Sequence, residues 1–288
     1  MAGLSVSLVR GAVTSPFKRP GRPGATLPTG RTALPPGRVA PGPLAAYRRI
    51  CGFTEPDALP LTYPHVLGFP LAMRVMTGRA FPLPVLGLVH TWIEITAHRT
   101  PRPTDALELS VYAEELTPHR RGTEVTMVTE ARLAGDLVWE SRSGYLSRHT
   151  TTSAASPHAA APTDLPAVAE WRLPGDLGRR YGAASGDRNP IHLHPLTARL
   201  FGFPRHIAHG MWTVARCLAE AEAEAEAAAK AGAGGAEGTD GRIRSLRADF
   251  RAPVLLPATV TYAAAGSAFE VRGTDRVHLT GSITREAG

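Results

Sequence analysis

Asp187 and His192 stand five residues apart in the string YGAASGDRNPIH and are residue types that can share one proton transfer. The residues around them are typical of a turn and are expected to shape the loop: Ser185, Gly186, Asn189 and Pro190. Gly, Asn and Pro each favour non-helical backbone, and a proline biases the residue before it toward extended geometry. Such a loop can hold a carboxylate and an imidazole facing one space. An Asp beside a neutral His is suited to activating water near pH 7, so the spacing predicts an acid–base pair.

A second chemical feature is the backbone at Gly210. The string HIAHGM leads into WTVARCLAEAEAEAEAAAK, whose Ala and Glu content predicts a helix. Gly210 then lies at the start of that helix, where backbone N–H groups lack partners and the helix dipole favours negative charge. We therefore predict that the Gly210 N–H stabilises a developing oxyanion.

Three further histidines, His194, His206 and His209, are near enough in the sequence to suggest a metal cluster. No cysteine accompanies them, and they lack the HxxxH spacing that places two histidines on one face of a helix. The sequence therefore predicts that no metal is bound.

The string SGDRNPIH, an alanine six residues beyond His192 and the string GFPRHIAHGM together resemble the two-domain type of the MaoC-like (R)-specific enoyl-CoA hydratase/dehydratase family. The resemblance is clearest from about Arg180 to Gly210 and continues through SLRADFRAPVLLPATV. It implies a double hot dog fold: two units, each with a long helix wrapped by an antiparallel sheet, and an active site at their interface. It also implies that Asp187 and His192 hold the catalytic water, that Gly210 polarises a thioester carbonyl, and that no metal or redox cofactor takes part.

Members of that family add water across the double bond of trans-2-enoyl thioesters to give (3R)-hydroxyacyl thioesters. The resemblance therefore implies a lyase that hydrates trans-2-enoyl-CoA in fatty-acid metabolism. Three alternatives stay open: a (3R)-hydroxyacyl dehydratase working on an acyl carrier protein in fatty-acid or polyketide synthesis, a non-catalytic acyl-thioester binding subunit, and a hot dog thioesterase. The intact Asp187 and His192 argue against the non-catalytic subunit, and a thioesterase has no need of the full SGDxNPxH string.

Stretches of the sequence without apolar periodicity indicate how the chain is divided into domains. A proline-rich basic arm without apolar periodicity covers residues 1–30, and the polar string TTSAASPHAAAPTDLP marks a linker at 151–166. They delimit two units, 31–150 and 167–288, each predicted as a helix followed by alternating strands, which is an α+β pattern with antiparallel sheets. The strands are predicted at 88–97, 106–116, 123–133, 138–147, 243–251, 259–264, 269–272 and 277–284.

The first unit reads as a degenerate copy of the second. An offset of 134 residues pairs three identical positions: Tyr181 with Tyr47, Gly186 with Gly52, and Pro190 with Pro56. The same offset places apolar residues opposite the acid–base pair: Phe53 opposite Asp187 and Ala58 opposite His192. The shared order of elements favours a duplication. Chemistry is therefore expected only in the second unit.

Composition limits the partners. Of 288 residues, 43% are hydrophobic and 20% charged, which supports a buried core, and no apolar run approaches the roughly 20 residues that span a bilayer. Part of the net charge of +7 comes from the first 54 residues, which hold no acid. Without a basic helix or interleaved aromatics, nucleic-acid binding is not predicted. Two cysteines, Cys51 and Cys217, form no disulfide framework and fit a reducing cytoplasm. An acyl-CoA or acyl-carrier-protein thioester is the expected partner, and a homodimer stays open.

Overall fold

The structure is a computed structural model that describes residues 18, 21, 24–151, 165–231 and 241–286. The predicted arm at 1–30 therefore lies partly, and the predicted linker at 151–166 mostly, outside the described residues. At the edge of the arm, the Lys18 ammonium group donates hydrogen bonds to the Met76 and Gly78 carbonyls at 3.1 and 2.9 Å. Leu27 also packs against the core.

Ten strands form one antiparallel sheet. They are β1 (Thr32–Arg38), β2 (Val89–Ala97), β3 (Ala106–His119), β4 (Gly122–Leu133), β5 (Asp136–Arg148), β6 (Ala167–Leu173), β7 (Ile243–Phe250), β8 (Ala258–Ala265), β9 (Ala268–Arg272) and β10 (Val277–Arg285). Eight of them are the strands predicted from alternation, with ends that differ by at most three residues. The two that sequence analysis missed, β1 and β6, are the outermost strands of the sheet. An edge strand faces solvent for much of its length, so it carries little alternation.

The helices are α1 (Pro41–Cys51), α2 (Tyr63–Thr77), α3 (Leu177–Ser185), α4 (Pro190–Leu193), α5 (Pro195–Arg199) and α6 (Gly210–Lys230). The prediction of one helix per unit was incomplete, because one short helix precedes the long one in the first half and three short helices, α3, α4 and α5, precede it in the second. Helix α2 is buried nearly all round, whereas α6 buries its first half and extends its alternating Glu and Ala residues outward. None of the helices in the described part of the chain is long and apolar enough to cross a membrane.

The sheet order reveals an internal repeat. Across the sheet the strands run β1-β3-β4-β5-β2-β7-β10-β9-β8-β6. The second half of this order is the first half reversed, with each strand replaced by its counterpart. The halves join where β2 pairs with β7, around Glu94 opposite Arg247. Each half thus contains the series strand, short helix, long helix and four strands, with α4 and α5 as an insertion in the second half, which confirms the α+β double hot dog arrangement.

The short helices α1 and α3 meet at the junction of the halves. Tyr47 and Tyr181, which the sequence offset made equivalent, are both fully buried and lie 6.0 Å apart between ring centroids. The Tyr47 hydroxyl shares a hydrogen bond of 2.8 Å with the Thr62 hydroxyl, and Tyr63 packs against the Tyr47 ring at 5.0 Å. The core is therefore continuous from one half into the other and fixes their relative position.

Candidate active site

The end of helix α3 sets the position of Asp187. Gly186 ends the helix with a φ of 81°, a left-handed conformation in which a side chain would be strained. The Ser185 hydroxyl donates to the Tyr181 carbonyl at 2.9 Å and accepts the Asp187 N–H at 3.2 Å. Asp187 Oδ1 accepts the N–H of Asn189 at 3.1 Å. These bonds turn the chain tightly and leave the second carboxylate oxygen of Asp187 available to other partners.

The one-turn helix α4 sets the position of His192. Asn189 caps it, its side chain accepting the Ile191 N–H at 3.4 Å, and Pro190 occupies the first helical position. His192 is buried, and its Nδ1 lies 2.9 Å from the carbonyl oxygen of Ile207. Because a carbonyl only accepts, Nδ1 must carry the proton. In the neutral ring Nε2 therefore holds the lone pair, which is the state needed in a base.

A third residue, His209, completes the cluster. Ligand atoms of Asp187, His192 and His209 all lie within 4.8 Å of one another. The His209 ring stacks on the His192 ring at 3.7 Å, and its Nε2 donates to the Asp187 carbonyl at 3.0 Å. The sequence pattern indicated His209 only as a possible metal ligand. Its position next to Gly210 was the available signal, but the stacking joins residues 17 positions apart and could not be read from spacing.

Gly210 is the first residue of helix α6, as predicted. The preceding residue, His209, makes no side-chain cap, so the first N–H groups of the helix are not satisfied in that way. A Cβ at position 210 would lie 2.6 Å from Phe250, which explains why a glycine stands here. Since Gly210 follows His209 in the chain, we expect its N–H to lie beside the acid–base pair.

The first half of the chain also borders this site. His90 of β2 packs against Phe250 at 4.7 Å and stacks on Tyr145 of β5 at 4.6 Å between ring centroids. Burial, and to a smaller extent the Asp187 carboxylate, raises the pKa of the Tyr145 phenol. The site thus lies at the interface between the halves. His90 and Tyr145 could not be predicted from the sequence, because they lie in ordinary strand patterns of the half that lacks the motif.

Burial sets the protonation of the cluster. It raises the pKa of Asp187 above its ordinary value, against the opposing effects of His192 and of the Asn189 N–H. It lowers the pKa of His192, against the opposing effect of Asp187. Burial, assisted by His192, lowers the pKa of His209 well below its ordinary value. Both imidazoles are therefore neutral at pH 7, and His192 Nε2 can accept a proton.

We predict an acid limb in the pH profile of turnover. Burial lowers the pKa of His192 below its ordinary value of 6.5 and raises the pKa of Asp187 above its ordinary value of 3.8. Because the reaction needs neutral His192 and charged Asp187, kcat/KM should fall with acid as either group takes up a proton. Turnover that rises below pH 6 would contradict this assignment.

Acid also destabilises the fold, so the pH profile of turnover needs a measurement of stability as its control. Burial lowers the pKa of His65 to about 4 and that of His90 to about 3. Below pH 6.5 the unfolded chain binds protons that the folded chain cannot, so the free energy of unfolding falls as the pH drops from 6.5 through these folded pKa values. Initial rates after a brief pH jump, with the thermal midpoint recorded at each pH, separate titration of the site from loss of fold.

The same cluster bears on metal binding. Within the described residues, Asp187, His192 and His209 are the one group of side chains close enough to hold a metal ion. Two of their nitrogens, His192 Nδ1 and His209 Nε2, already donate to backbone carbonyls. The atoms that could still bind a metal are His192 Nε2, His209 Nδ1 and a carboxylate oxygen of Asp187. That no metal takes part stays a prediction.

The first half keeps the turn but not the chemistry. Gly52 ends α1 with a φ of 91°, as its counterpart Gly186 ends α3. Phe53 follows it, buried and stacked on Tyr47 at 6.3 Å. Phe53 and Ala58 line a cavity of about 290 Å³ that also contacts Trp139 and Glu222. At the positions that match Asp187 and His192, the first half therefore offers apolar surface instead of ionisable groups.

Comparison with known proteins agrees with this geometry. Residues 175–285 match the family described as MaoC like domain. The chain is 38% identical over 224 residues to 3-hydroxyacyl-thioester dehydratase X of Mycobacterium tuberculosis, covering 77% of this chain and 75% of that protein. The crystal structure of HtdX from Mycobacterium tuberculosis superposes with a TM-score of 0.74 at 33% identity, over 89% of this chain and all (100%) of that one.

More distant structures share the fold. A MaoC-like dehydratase from Phytophthora capsici has a TM-score of 0.68 at 18% identity, over 91% of this chain and 97% of that one. A Mycobacterium tuberculosis protein described as having a double hotdog fold has a TM-score of 0.52 at 14% identity, over 92% of this chain and 99% of that one. At such identities the likeness concerns the architecture alone.

Proposed function

Because the chain belongs to the MaoC-like dehydratase family, we propose that it catalyses the reversible removal of water from (3R)-hydroxyacyl thioesters to give trans-2-enoyl thioesters. The relative from Mycobacterium tuberculosis is named a 3-hydroxyacyl-thioester dehydratase, which supports the substrate class. The observation that carries the proposal is that side-chain atoms of Asp187, His192 and His209, the residue that precedes helix α6, lie within 4.8 Å of one another.

Removal of water needs a base for the proton on C2. His192 Nε2 has the free lone pair, because Nδ1–H is held by the Ile207 carbonyl. As the C2–H bond breaks, its electron pair moves toward the thioester oxygen, which becomes enolate-like. The Gly210 N–H donates a hydrogen bond to that oxygen, and the helix dipole adds to its stabilisation.

Completion of the step needs a proton on the departing hydroxyl. The imidazolium of His192 returns the C2 proton to the C3 oxygen, the C–O bond breaks, and the electron pair of the enolate forms the C2–C3 double bond. Asp187 stabilises the imidazolium by its charge and accepts a hydrogen bond from the leaving water. His209 keeps this geometry, since it holds the Asp187 backbone and stacks on His192. Hydration follows the same path in reverse.

This path makes the addition syn, because one water supplies both the hydroxyl and the proton from the same side. It consumes no cofactor and balances without an oxidant. The (3R) configuration and a preference for hydration of trans-2-enoyl-CoA in fatty-acid metabolism are parts of the proposal that rest on family resemblance.

The experiment incubates purified protein, in buffer with a chelator, with trans-2-enoyl-CoA thioesters of graded chain length. The 3-hydroxyacyl products are then resolved by chiral chromatography, and racemic 3-hydroxyacyl-CoA is supplied to test which enantiomer is dehydrated. A (3R) product that forms in the presence of the chelator supports the proposal. A (3S) product, or release of free thiol, would replace it with another reaction. Thioester binding without turnover would favour the non-catalytic subunit.

A further inference from the structure

The most exposed large apolar side chains in the described part of the chain lie together beside the candidate active site. Leu196 is 64% exposed and Leu200 is 82% exposed, against 42% or less for the other exposed ones. Leu196 lies in α5, and Leu200 follows its last residue with helical φ and ψ. Residues four apart share a helix face, so the two side chains form one apolar surface, here called the leucine patch.

The leucine patch is held rigidly against the base of the active site. The segment from Ile191 to Ile207 is closed by a hydrogen bond of 3.1 Å between the Ile207 N–H and the Ile191 carbonyl. Ala198, on the opposite side of α5, is fully buried, and the Thr197 hydroxyl donates to the Pro190 carbonyl at 2.7 Å. His192 lies at the base of the same segment. The exposure of the leucines is thus a fixed feature and not the result of a loose loop.

Positive charge surrounds the leucine patch. Between residues 177 and 219 there are six arginines, of which Arg180 pairs with Asp176 and Arg216 pairs with Glu220. Arg199 lies in α5 itself, between the two leucines, and Arg179 donates to the Leu193 carbonyl at the end of α4 at 3.2 Å. The hydrogen bonds that these two arginines donate go to backbone carbonyls, those of Leu193 and Pro204. The surface beside the active site is therefore apolar at its centre and cationic around it.

We propose that the leucine patch, with Arg179 and Arg199, is the docking surface for an acidic acyl carrier protein that delivers the substrate as a pantetheine thioester. The inference rests on the thioester chemistry proposed above. Cationic side chains attract an acidic partner and set its orientation, while apolar side chains at the centre of an interface supply affinity. Coenzyme A offers phosphates to the arginines but no apolar side chains to cover two leucines.

Two other partners fit the surface less well. Helices that lie on membranes bury a long amphipathic face, often of 20–30 residues, and α5 has only five. A second copy of the chain in a two-fold contact would place Arg199 near its own symmetry mate, and like charges in an interface are unfavourable. A carrier protein meets both the charge and the apolar requirement, and the leucine patch belongs to the same hydrogen-bonded segment, 191–207, as His192.

The test compares one trans-2-enoyl group on three carriers: a holo acyl carrier protein, coenzyme A and N-acetylcysteamine. The variant is Leu196→Ser/Leu200→Ser, and the matched control is Leu34→Ser, whose leucine is 40% exposed on the remote edge strand β1. We expect kcat/KM for the carrier-protein substrate to fall by about tenfold or more, through KM, in the variant only. For the other two substrates, kcat/KM should change by less than about twofold, a size typical of surface substitutions.

The charge is tested separately. Arg199→Glu should lower kcat/KM for the carrier-protein substrate, and Arg199→Lys should retain most of the rate.

Several outcomes overturn the proposal. Equal losses on all three substrates mean that the leucines only support the His192 segment. An unchanged KM for the carrier-protein substrate also overturns the proposal. In that case, loss of binding to phosphatidylglycerol vesicles in the variant would identify a membrane surface, and loss of a dimer in sedimentation would identify a contact between two copies of the chain.

Calorimetric titration with the holo acyl carrier protein distinguishes failure of the docking proposal from failure of the proposed function. If the wild-type protein turns over none of the three substrates, the thioester chemistry is wrong. Binding that is then weakened in the double serine variant still supports the docking surface, and absence of binding overturns it.

Discussion

Replacing Asp187 by asparagine is expected to lower turnover by about 10²–10⁴-fold, the usual contribution of one acid–base group. Asparagine keeps the shape and can still accept the Asn189 N–H, which Asp187 Oδ1 accepts at 3.1 Å. It lacks the charge that stabilises protonated His192. His192→Gln should cause a loss of similar size, because glutamine has no lone pair able to take the C2 proton. Initial rates of hydration and dehydration measure the loss of turnover in each of the two variants.

The stability of Asp187→Asn provides the control. Burial raises the pKa of Asp187, so the folded protein favours the protonated carboxyl more than the unfolded chain does. That preference stabilises the fold at low pH and is lost as the pH rises through the folded pKa. At pH 7 the charged carboxylate is therefore a cost to folding. The variant should melt at the same temperature as the wild type or higher, while its activity falls.

The double variant tests whether the two residues act as a unit. Groups that serve one proton transfer lose little more when both are removed than when one is. Asp187→Asn/His192→Gln should therefore resemble the slower single variant. Multiplicative losses would mean independent roles, and hydration near the wild-type rate in Asp187→Asn would exclude the assignment.

Local signals in the sequence predicted the turn and the helix start of this site. Gly186 and Asn189 are residues whose own backbone preferences produce the turn, so short-range chemistry was sufficient. The helix that begins at Gly210 followed from Ala and Glu propensity. The eight alternating strands followed from period-two patterns, since one face of each is buried.

Contacts between distant parts of the chain could not be predicted in this way. His209 reaches its position by stacking on His192, and His90 and Tyr145 approach from the other half through the sheet junction. Each of these residues has an ordinary local pattern, so only the tertiary fold gives it a place near Asp187. The offset of 134 residues was informative because Gly52 and Gly186 both end their helices in left-handed geometry, but it indicated homology and not contacts.

The packing of α3 against the His192 backbone leads to the second large expected effect. Gly178 lies so close to His192 that an added Cβ would overlap the His192 carbonyl oxygen, at 1.9 Å. Backbone atoms cannot rotate away, so Gly178→Ala must displace either helix α3 or the catalytic segment. A displacement of about 1 Å can cost about 10²-fold in rate, and overpacking costs about 1–3 kcal/mol of stability.

The matched control is Gly175→Ala, where the nearest atom to the new Cβ is Pro257 Cδ at 4.0 Å. We expect a large loss of kcat in Gly178→Ala with a folded far-ultraviolet spectrum and a lower melting temperature, and wild-type rates in the control. Equal activity of the two variants would show that the His192 segment adjusts freely, and that the close packing on α3 does not set the geometry of the base.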